Sequence, residues 1–124
     1  IQYALLYPER VDTELPRLDL RKVSQLTFEA PEMERFPCLR LAYEAARIGG
    51  TMPTVLNAAN EVAVHLFLKE QIPFTAIASF VEQTMQAHTP QQPTLETILE
   101  ADQWARAYVL TLAERRVAAP GGLA

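Results

Sequence analysis

The sequence from residue 35 to residue 64 reads RFPCLRLAYEAARIGGTMPTVLNAANEVAV, and it contains the signals for two successive helices. Pro37 suits the first turn of a helix because a residue there needs no amide hydrogen for the helical ladder. The apolar residues that follow recur at helical spacing: Leu41, Ala42, Ala45 and Ile48. Gly49-Gly50 then predicts the end of this first helix, since glycine adopts the left-handed conformation of a helix C-terminus without steric cost.

The second helix of this stretch is predicted to begin after Thr51, as its N-cap, and to run to about Glu70 with Pro53 in its first turn. Its apolar residues form two adjacent stripes: Val55, Ala59, Val62 and Leu66 on one, and Leu56, Ala63 and Phe67 on the other. So wide an apolar surface predicts burial on more than one side of the helix.

Two more helical segments follow. The run Ile72-Pro73-Phe74-Thr75 starts a third helix, whose predicted inward-facing residues are Ile77, Phe80, Val81, Thr84 and Met85. Residues 88–93, HTPQQP, predict a loop, and Thr94 is the predicted N-cap of the final stretch. The negative charge of Glu96 suits the N-terminal end of this stretch, and the positive charges of Arg115 and Arg116 suit its C-terminal end, because they complement the helix dipole. This stretch is either one helix or two, with Asp102 capping the second.

Residues 1–34 have a different pattern. Ile1–Tyr7 is compatible with the end of a helix and stops at Pro8; from there to Glu34, three prolines predict an extended, irregular connector. Only Leu26–Phe28 resembles a strand. The connector's apolar residues should lie against a surface, either within this chain or absent from it: Leu15, Leu18, Leu20, Val23, Leu26 and Phe28. Because the chain starts at Ile1 within an apolar run, we expect it to begin partway through a larger protein.

The predicted fold is therefore all-α, a four-helix-bundle-like domain preceded by an extended connector with little regular structure. We assign residues 1–34 to the end of a preceding domain and an ordered connector, 35–117 to the helical bundle and 118–124 to a flexible tail.

Composition narrows the function classes. The net charge of −4 argues against electrostatic binding of nucleic acid or an anionic membrane, and a single cysteine excludes an internal disulfide framework. No apolar run approaches the ~20 residues of a membrane span. With only 4 glycines and no glycine-rich loop motif, the sequence offers no cradle for a pyrophosphate. These features predict a soluble, intracellular helical domain.

Two polar groups on the second helix invite a functional interpretation. Glu61 and His65 are one helical turn apart and could share a metal ion, but two ligands do not make a site, so a solvent-facing pair is the preferred interpretation. Asn57, Asn60 and Glu61 could form a ligand-binding face. We favour a buried hydrogen-bond network that ties this helix to a loop such as the Gly49-Gly50-Thr51 turn or to the connector.

The remaining candidates have structural interpretations. Cys38 lacks a nearby histidine or lysine to activate it and is predicted to be a small buried hydrophobe. Core or edge packing is preferred over ligand stacking for three aromatic residues: Tyr43, Trp104 and Tyr108. The acidic pairs Glu32/Glu34 and Glu100/Asp102 lack an apolar pocket and should be solvated. The residues thus predict no catalytic, cofactor-binding or metal site.

Three runs resemble the C-terminal third of the 1-deoxy-D-xylulose 5-phosphate reductoisomerase family. They are IQYALLYPERV from residue 1, LTFEAPEMERFPCLRLAYEAARIGGTMPTVLNAANEVAV from residue 26 and IPFTAI from residue 72. The likeness extends in order over about residues 1–117 without a departure inside these runs, and residues 35–64 are its most specific part.

This resemblance implies an enzyme of non-mevalonate isoprenoid biosynthesis. Family members rearrange and reduce 1-deoxy-D-xylulose 5-phosphate to 2-C-methyl-D-erythritol 4-phosphate with NADPH and Mg²⁺ or Mn²⁺. They combine an NADPH domain, a central catalytic and dimerising domain and a C-terminal helical domain. The family's cofactor loop, metal carboxylates, phosphate-binding residues and mobile lid precede the part that this chain resembles, so the resemblance transfers no site residue to it.

We therefore expect an inactive C-terminal support domain that binds neither NADPH nor metal by itself. Its expected partners are the missing N-terminal domains of the same polypeptide, in a homodimeric cytoplasmic enzyme of bacterial type; a plastid origin stays open. The alternative is a non-enzymatic helical interaction module whose leucine-rich connector docks a partner.

Overall fold

The computed structural model describes residues 1–118, with side chains to residue 116. Contacts between Cα atoms divide the chain into two compact units, residues 1–30 and the chain from residue 31 onward, which we describe separately. The predicted domain boundary after residue 34, between the connector and the helical bundle, stays a prediction. The predicted tail, 118–124, lies outside the described residues except for residue 118, whose backbone ends the last helix.

The larger unit contains the four predicted helices. They are α3 (Pro37–Ile48), α4 (Met52–Leu68), α5 (Ala76–Ala87) and α6 (Leu95–Ala118), preceded in the smaller unit by α1 (Gln2–Leu6) and α2 (Leu20–Val23). The prediction of an all-helical fold is confirmed. Pro37 opens α3 and Gly49 ends it, as the sequence pattern predicts, but the φ of 70° and ψ of −152° of Gly49 are not the predicted left-handed helical conformation.

Helix α4 lies at the centre of this unit, in contact with α3, α5 and α6. Three of its alanines, Ala58, Ala59 and Ala63, are fully buried, and their small side chains let the neighbouring helices approach closely. The five inward-facing residues predicted for α5 are all buried. On α3, Leu41 and Ala45 are buried but Ala42 and Ile48 are exposed, so only part of the apolar set at helical spacing faces the core.

The final stretch is one continuous helix. Thr94 caps α6: its Oγ1 accepts a hydrogen bond from the backbone N–H of Thr97 at 3.2 Å, and Thr97 Oγ1 accepts one from the N–H of Thr94 at 2.9 Å. Asp102 caps nothing. Its carboxylate instead accepts two hydrogen bonds from Arg106, one turn further along α6.

The smaller unit, residues 1–30, contains no buried residue. Its α1 matches the predicted helical end, whereas α2 is a single turn that the sequence analysis missed; Asp19 caps it by accepting from the N–H of Arg21. The strand-like Leu26–Phe28 has no regular structure. The six apolar connector residues are exposed within this unit, and the expectation that they lie against a surface, which could be absent from this chain, stays a prediction.

Candidate functional site

Two connections of the helical unit are joined by a group of hydrogen bonds that we call the Thr51 clamp, formed by Thr51, His88 and Gln91. The N–H of Thr51 donates to the carbonyl of Gln91 at 3.1 Å, and the N–H of Gln91 donates to Thr51 Oγ1 at 3.1 Å. Thr51 Oγ1 also lies 2.7 Å from Nε2 of His88. The fully buried Thr51 therefore holds the α3–α4 turn against the α5–α6 loop. It lies at the N-cap position of α4, as predicted, but its side chain makes no capping hydrogen bond.

The turn requires glycine at position 50. Gly50 has a φ of 57°, and a Cβ atom built there would lie 2.4 Å from the carbonyl oxygen of Gln91. That is well inside van der Waals contact, so a side chain would push the loop away. Sequence reasoning assigned Gly49-Gly50 to helix termination alone. The loop approaches Gly50 from 41 positions along the chain, which no local pattern reveals.

Three rings extend from the clamp along α6. The ring centroids of His88 and Trp104 are 5.1 Å apart and tilted by 40°, and Trp104 stacks on Tyr108 at 5.2 Å. Both aromatic residues are half-buried at the edge of the core. This agrees with the preferred interpretation of packing for Trp104 and Tyr108, whereas Tyr43 is 52% exposed and does not pack on the core. The arrangement adds His88, which the sequence analysis placed in a loop without a role.

The rings of His88 and Trp104 border an open cleft of about 320 Å³ between the α5–α6 loop and α6. Its titratable lining residues are His88 and Glu100. Burial lowers the pKa of His88, because transfer of the imidazolium out of water is unfavourable. Thr51 Oγ1 accepts from the N–H of Gln91 and shares a second hydrogen bond with Nε2 of His88, whose direction depends on the tautomer of the imidazole, so the buried hydroxyl has a partner on each side.

Two arginines link neighbouring helices by ion pairs. Arg106 binds Asp102 on its own helix and Glu61 on α4, each at 2.7 Å. Arg40 on α3 similarly binds Glu44 and, on α5, Glu82, each at 2.8 Å. These hydrogen bonds raise the pKa of both guanidinium groups. All these groups are partly exposed, so the pairs orient the helices more than they stabilise them.

The structure corrects the interpretation of the polar residues on α4. Asn57 is exposed and donates to Glu61 only at 3.4 Å, and Asn60 is half-buried. The group does not tie α4 to a loop; Glu61 pairs instead with Arg106 of α6. The exposed Glu61 and His65 match the predicted solvent-facing pair. Helical spacing identified the shared face, but the identity of the neighbouring element depends on tertiary packing.

Cys38 also differs from prediction. It is exposed near the start of α3, not buried in the core, because the buried side of that helix is formed by Leu41 and Ala45. Partial burial nevertheless raises the pKa of its thiol, which lowers the thiolate fraction.

The acidic pairs fit their solvated interpretation in part. Glu32, Glu34 and Glu100 are exposed, whereas the half-buried Asp102 is paired with Arg106.

The described residues offer neither a grouped metal site nor a membrane-spanning helix. Within residues 1–118, no three His, Cys, Asp or Glu side chains are grouped so that they could hold a metal ion. No helix in this range is long and apolar enough to cross a membrane.

Comparison with known proteins gives consistent matches. The sequence model of the DXP reductoisomerase C-terminal domain family matches residues 1–108. The chain is 59% identical over 107 residues to 1-deoxy-D-xylulose 5-phosphate reductoisomerase of Chlorobaculum tepidum, covering 86% of the chain and 28% of that relative. It is 54% identical over 116 residues to the same enzyme of Chlorobium phaeobacteroides, covering 93% of the chain and 30% of the relative.

Solved structures show the same similarity. The reductoisomerase of Zymomonas mobilis in complex with NADPH superimposes with a TM-score of 0.83 at 44% identity, over 90% of this chain and 30% of that one. A DOX-P reductoisomerase in complex with magnesium gives a TM-score of 0.83 at 37% identity over the same shares. The chain thus spans less than a third of the length of the relatives it matches.

Proposed function

Since the chain belongs to the DXP reductoisomerase C-terminal domain family, we propose that it is the helical C-terminal part of a 1-deoxy-D-xylulose 5-phosphate reductoisomerase. The whole enzyme would rearrange and reduce 1-deoxy-D-xylulose 5-phosphate to 2-C-methyl-D-erythritol 4-phosphate. This chain would support the catalytic part and supply no catalytic residue. The observation that carries the proposal is the match over residues 1–108 together with the shared fold over 90% of the chain.

The described residues do not fit a role in holding the cofactors. Glu61, half of the one metal pair that sequence spacing suggested, is engaged by Arg106 at 2.7 Å. The sequence also lacks a glycine-rich loop for a dinucleotide. NADPH and Mg²⁺ or Mn²⁺ would therefore be bound by the rest of the enzyme, and no step of the reaction is assigned to a residue of this chain.

The proposed partner and cellular location of this chain follow from its membership in the same family. The partner of this chain would be the NADPH-binding and catalytic part of its own polypeptide, in a cytoplasmic homodimer of bacterial type. The chain's net charge of −4 favours neither nucleic acid nor an anionic membrane as a further partner.

A chimera tests the support role. This chain replaces the matched 107 residues of the Chlorobaculum tepidum enzyme, and a matched truncation lacks those residues. NADPH oxidation that depends on 1-deoxy-D-xylulose 5-phosphate and Mg²⁺ is then measured for both proteins and for the 124-residue chain alone. We expect activity from the chimera and none from the truncation or the chain alone.

Either of two results would contradict the proposal: turnover or tight NADPH binding by the chain alone, or a folded but inactive chimera. The exposed apolar residues of the connector favour one second candidate, a helical interaction module. An inactive chimera, combined with binding of the chain only to unrelated proteins, would support that module instead.

A further inference from the structure

One side of α3 is apolar and exposed, and we call it the α3 outer face. Its large residues are Phe36, Leu39 and Tyr43, with 54%, 38% and 52% of their surfaces exposed. The exposed Ala42 and Ala46 lie on the same side of the helix. Leu41 and Ala45, by contrast, are buried, and α3 contacts α4 and α5. The unit's own core therefore uses only one side of this helix.

The composition of the α3 outer face is that of a protein interface. The Arg35 guanidinium lies 5.7 Å from the Phe36 ring centroid, and that of Arg47 lies 6.0 Å from the Tyr43 centroid. Aromatic residues and arginine are enriched at interfaces, and such residues contribute most of the binding free energy. The exposed Leu99 on α6 has no such aromatic and arginine pair beside it within the described residues, whereas the smaller unit has one, with the Arg10 guanidinium 4.4 Å from the Tyr3 ring centroid.

The charges on the α3 outer face indicate which kind of protein surface could cover it. Within residues 31–116 of the larger unit, no carboxylate lies within ion-pair distance of Arg47, and Arg35 reaches only the exposed Glu32 at 3.7 Å. A second copy docked through the same face would bring arginines of like charge together, which is unfavourable. The face instead suits a partner surface with an apolar centre and carboxylates at its rim.

We propose that the α3 outer face docks on the catalytic part of the reductoisomerase polypeptide, on an apolar surface bordered by carboxylates. This inference rests on the proposed function. The relatives supply the required extra surface, since the chain covers only 28% of the Chlorobaculum tepidum enzyme. Docking would bury Phe36, Leu39 and Tyr43, and it would give Arg47 an acidic partner.

Thiol labelling tests the docking directly. In a Cys38→Ser background, Tyr43→Cys is compared with Leu99→Cys, an exposed control position on α6. Labelling rates at each position are measured by peptide mass spectrometry in the 124-residue chain alone and in the active chimera. We expect labelling at position 43 to be about tenfold slower or more in the chimera, because docking excludes the reagent, and labelling at position 99 to be unchanged.

A charge reversal at Arg47 tests whether carboxylates border the partner surface. Arg47→Glu in the chimera should speed labelling at position 43 several-fold, whereas Arg115→Glu, on an exposed residue of α6, should leave the rate unchanged.

Three results would overturn the inference. The first is an active chimera with equal labelling at position 43 in both contexts. The second is protection of position 43 in the isolated chain that rises with protein concentration, which would identify a second copy as the occupant. The third is an Arg47→Glu rate equal to that of the Arg115→Glu control. An inactive chimera would instead contradict the proposed function.

Discussion

At the scale of single residues, the α3–α4 turn depends on the lack of a side chain at position 50 and on the buried hydroxyl of Thr51. Gly49 and Gly50 both have positive φ, but only Gly50 faces another backbone segment, the carbonyl of Gln91. Backbone conformation therefore disfavours a side chain at both positions, and Gly50 has a steric restriction in addition.

Gly50→Ala should destabilise the chain by about 3 kcal/mol. Placing an L-residue in the left-handed region costs about 1–2 kcal/mol, and displacing the loop from the Thr51 clamp adds about one hydrogen bond. Gly49→Ala is the comparison variant: its Cβ would meet nothing within 4 Å, so its loss comes from backbone conformation alone. Urea unfolding measures both variants. A loss below about 1 kcal/mol at position 50 would contradict a restriction there by backbone conformation and by the close approach to Gln91.

His88 predicts a pH dependence of stability. Burial lowers its pKa in the folded chain below the unfolded value of about 6.5, so the unfolded chain binds the proton more readily. Stability is therefore fully present above about pH 6.5 and decreases as the pH falls through the folded pKa. His88→Gln, which cannot titrate, should flatten this decrease in urea unfolding between about pH 7 and 5.

The control for this pH profile is His65→Gln, at an exposed position on α4 outside the clamp, which should retain the parent profile. A parent-like profile in the His88→Gln variant would contradict the assignment to His88.

At the scale of elements, the helix boundaries follow from local chemistry. Proline at the start of α3, glycine at its end and Thr94 before α6 act through their own backbone neighbours, so the sequence predicts their effects. The sequence did not predict that α6 is one continuous helix. Asp102 is compatible with a cap or a mid-helix position, and its pairing with Arg106 selects the latter.

Thr94→Ala should destabilise the chain by about 1 kcal/mol, since the N–H of Thr97 loses its acceptor at the start of α6. Thr111→Ala on the same helix is the control. Its hydroxyl donates only to the carbonyl of Ala107 and is exposed, so the change should be near zero or slightly stabilising. Thermal unfolding compares them, and an equal loss in both variants would exclude a specific capping effect.

At the scale of the whole molecule, the core belongs to one unit. Every buried hydrophobic residue of the described chain lies between Leu41 and Leu112, and residues 1–30 contribute none. Helical periodicity predicted most of these core residues because a helix must bury its apolar side. It could not predict that α3 would leave Phe36, Leu39 and Tyr43 exposed, since the number of neighbours around a helix is decided by packing.

The segment 31–124 should therefore fold alone. Its thermal midpoint should lie within about 3 °C of that of the full chain, because surface contacts contribute less than about 0.5 kcal/mol each. Circular dichroism follows both unfolding transitions. A midpoint lowered by more than about 10 °C would show that residues 1–30 stabilise the helical unit.

The sequence by itself determined the helical class, the four helices of the larger unit and the family to which the chain belongs. These properties depend on neighbours within one or two helical turns, or on the order of residues along the chain. Tertiary structure alone decided three others: the Thr51 clamp, the pairing of Glu61 with Arg106 and the exposure of Cys38. Each of these depends on which surfaces meet between segments far apart in sequence, and helical spacing leaves that choice open.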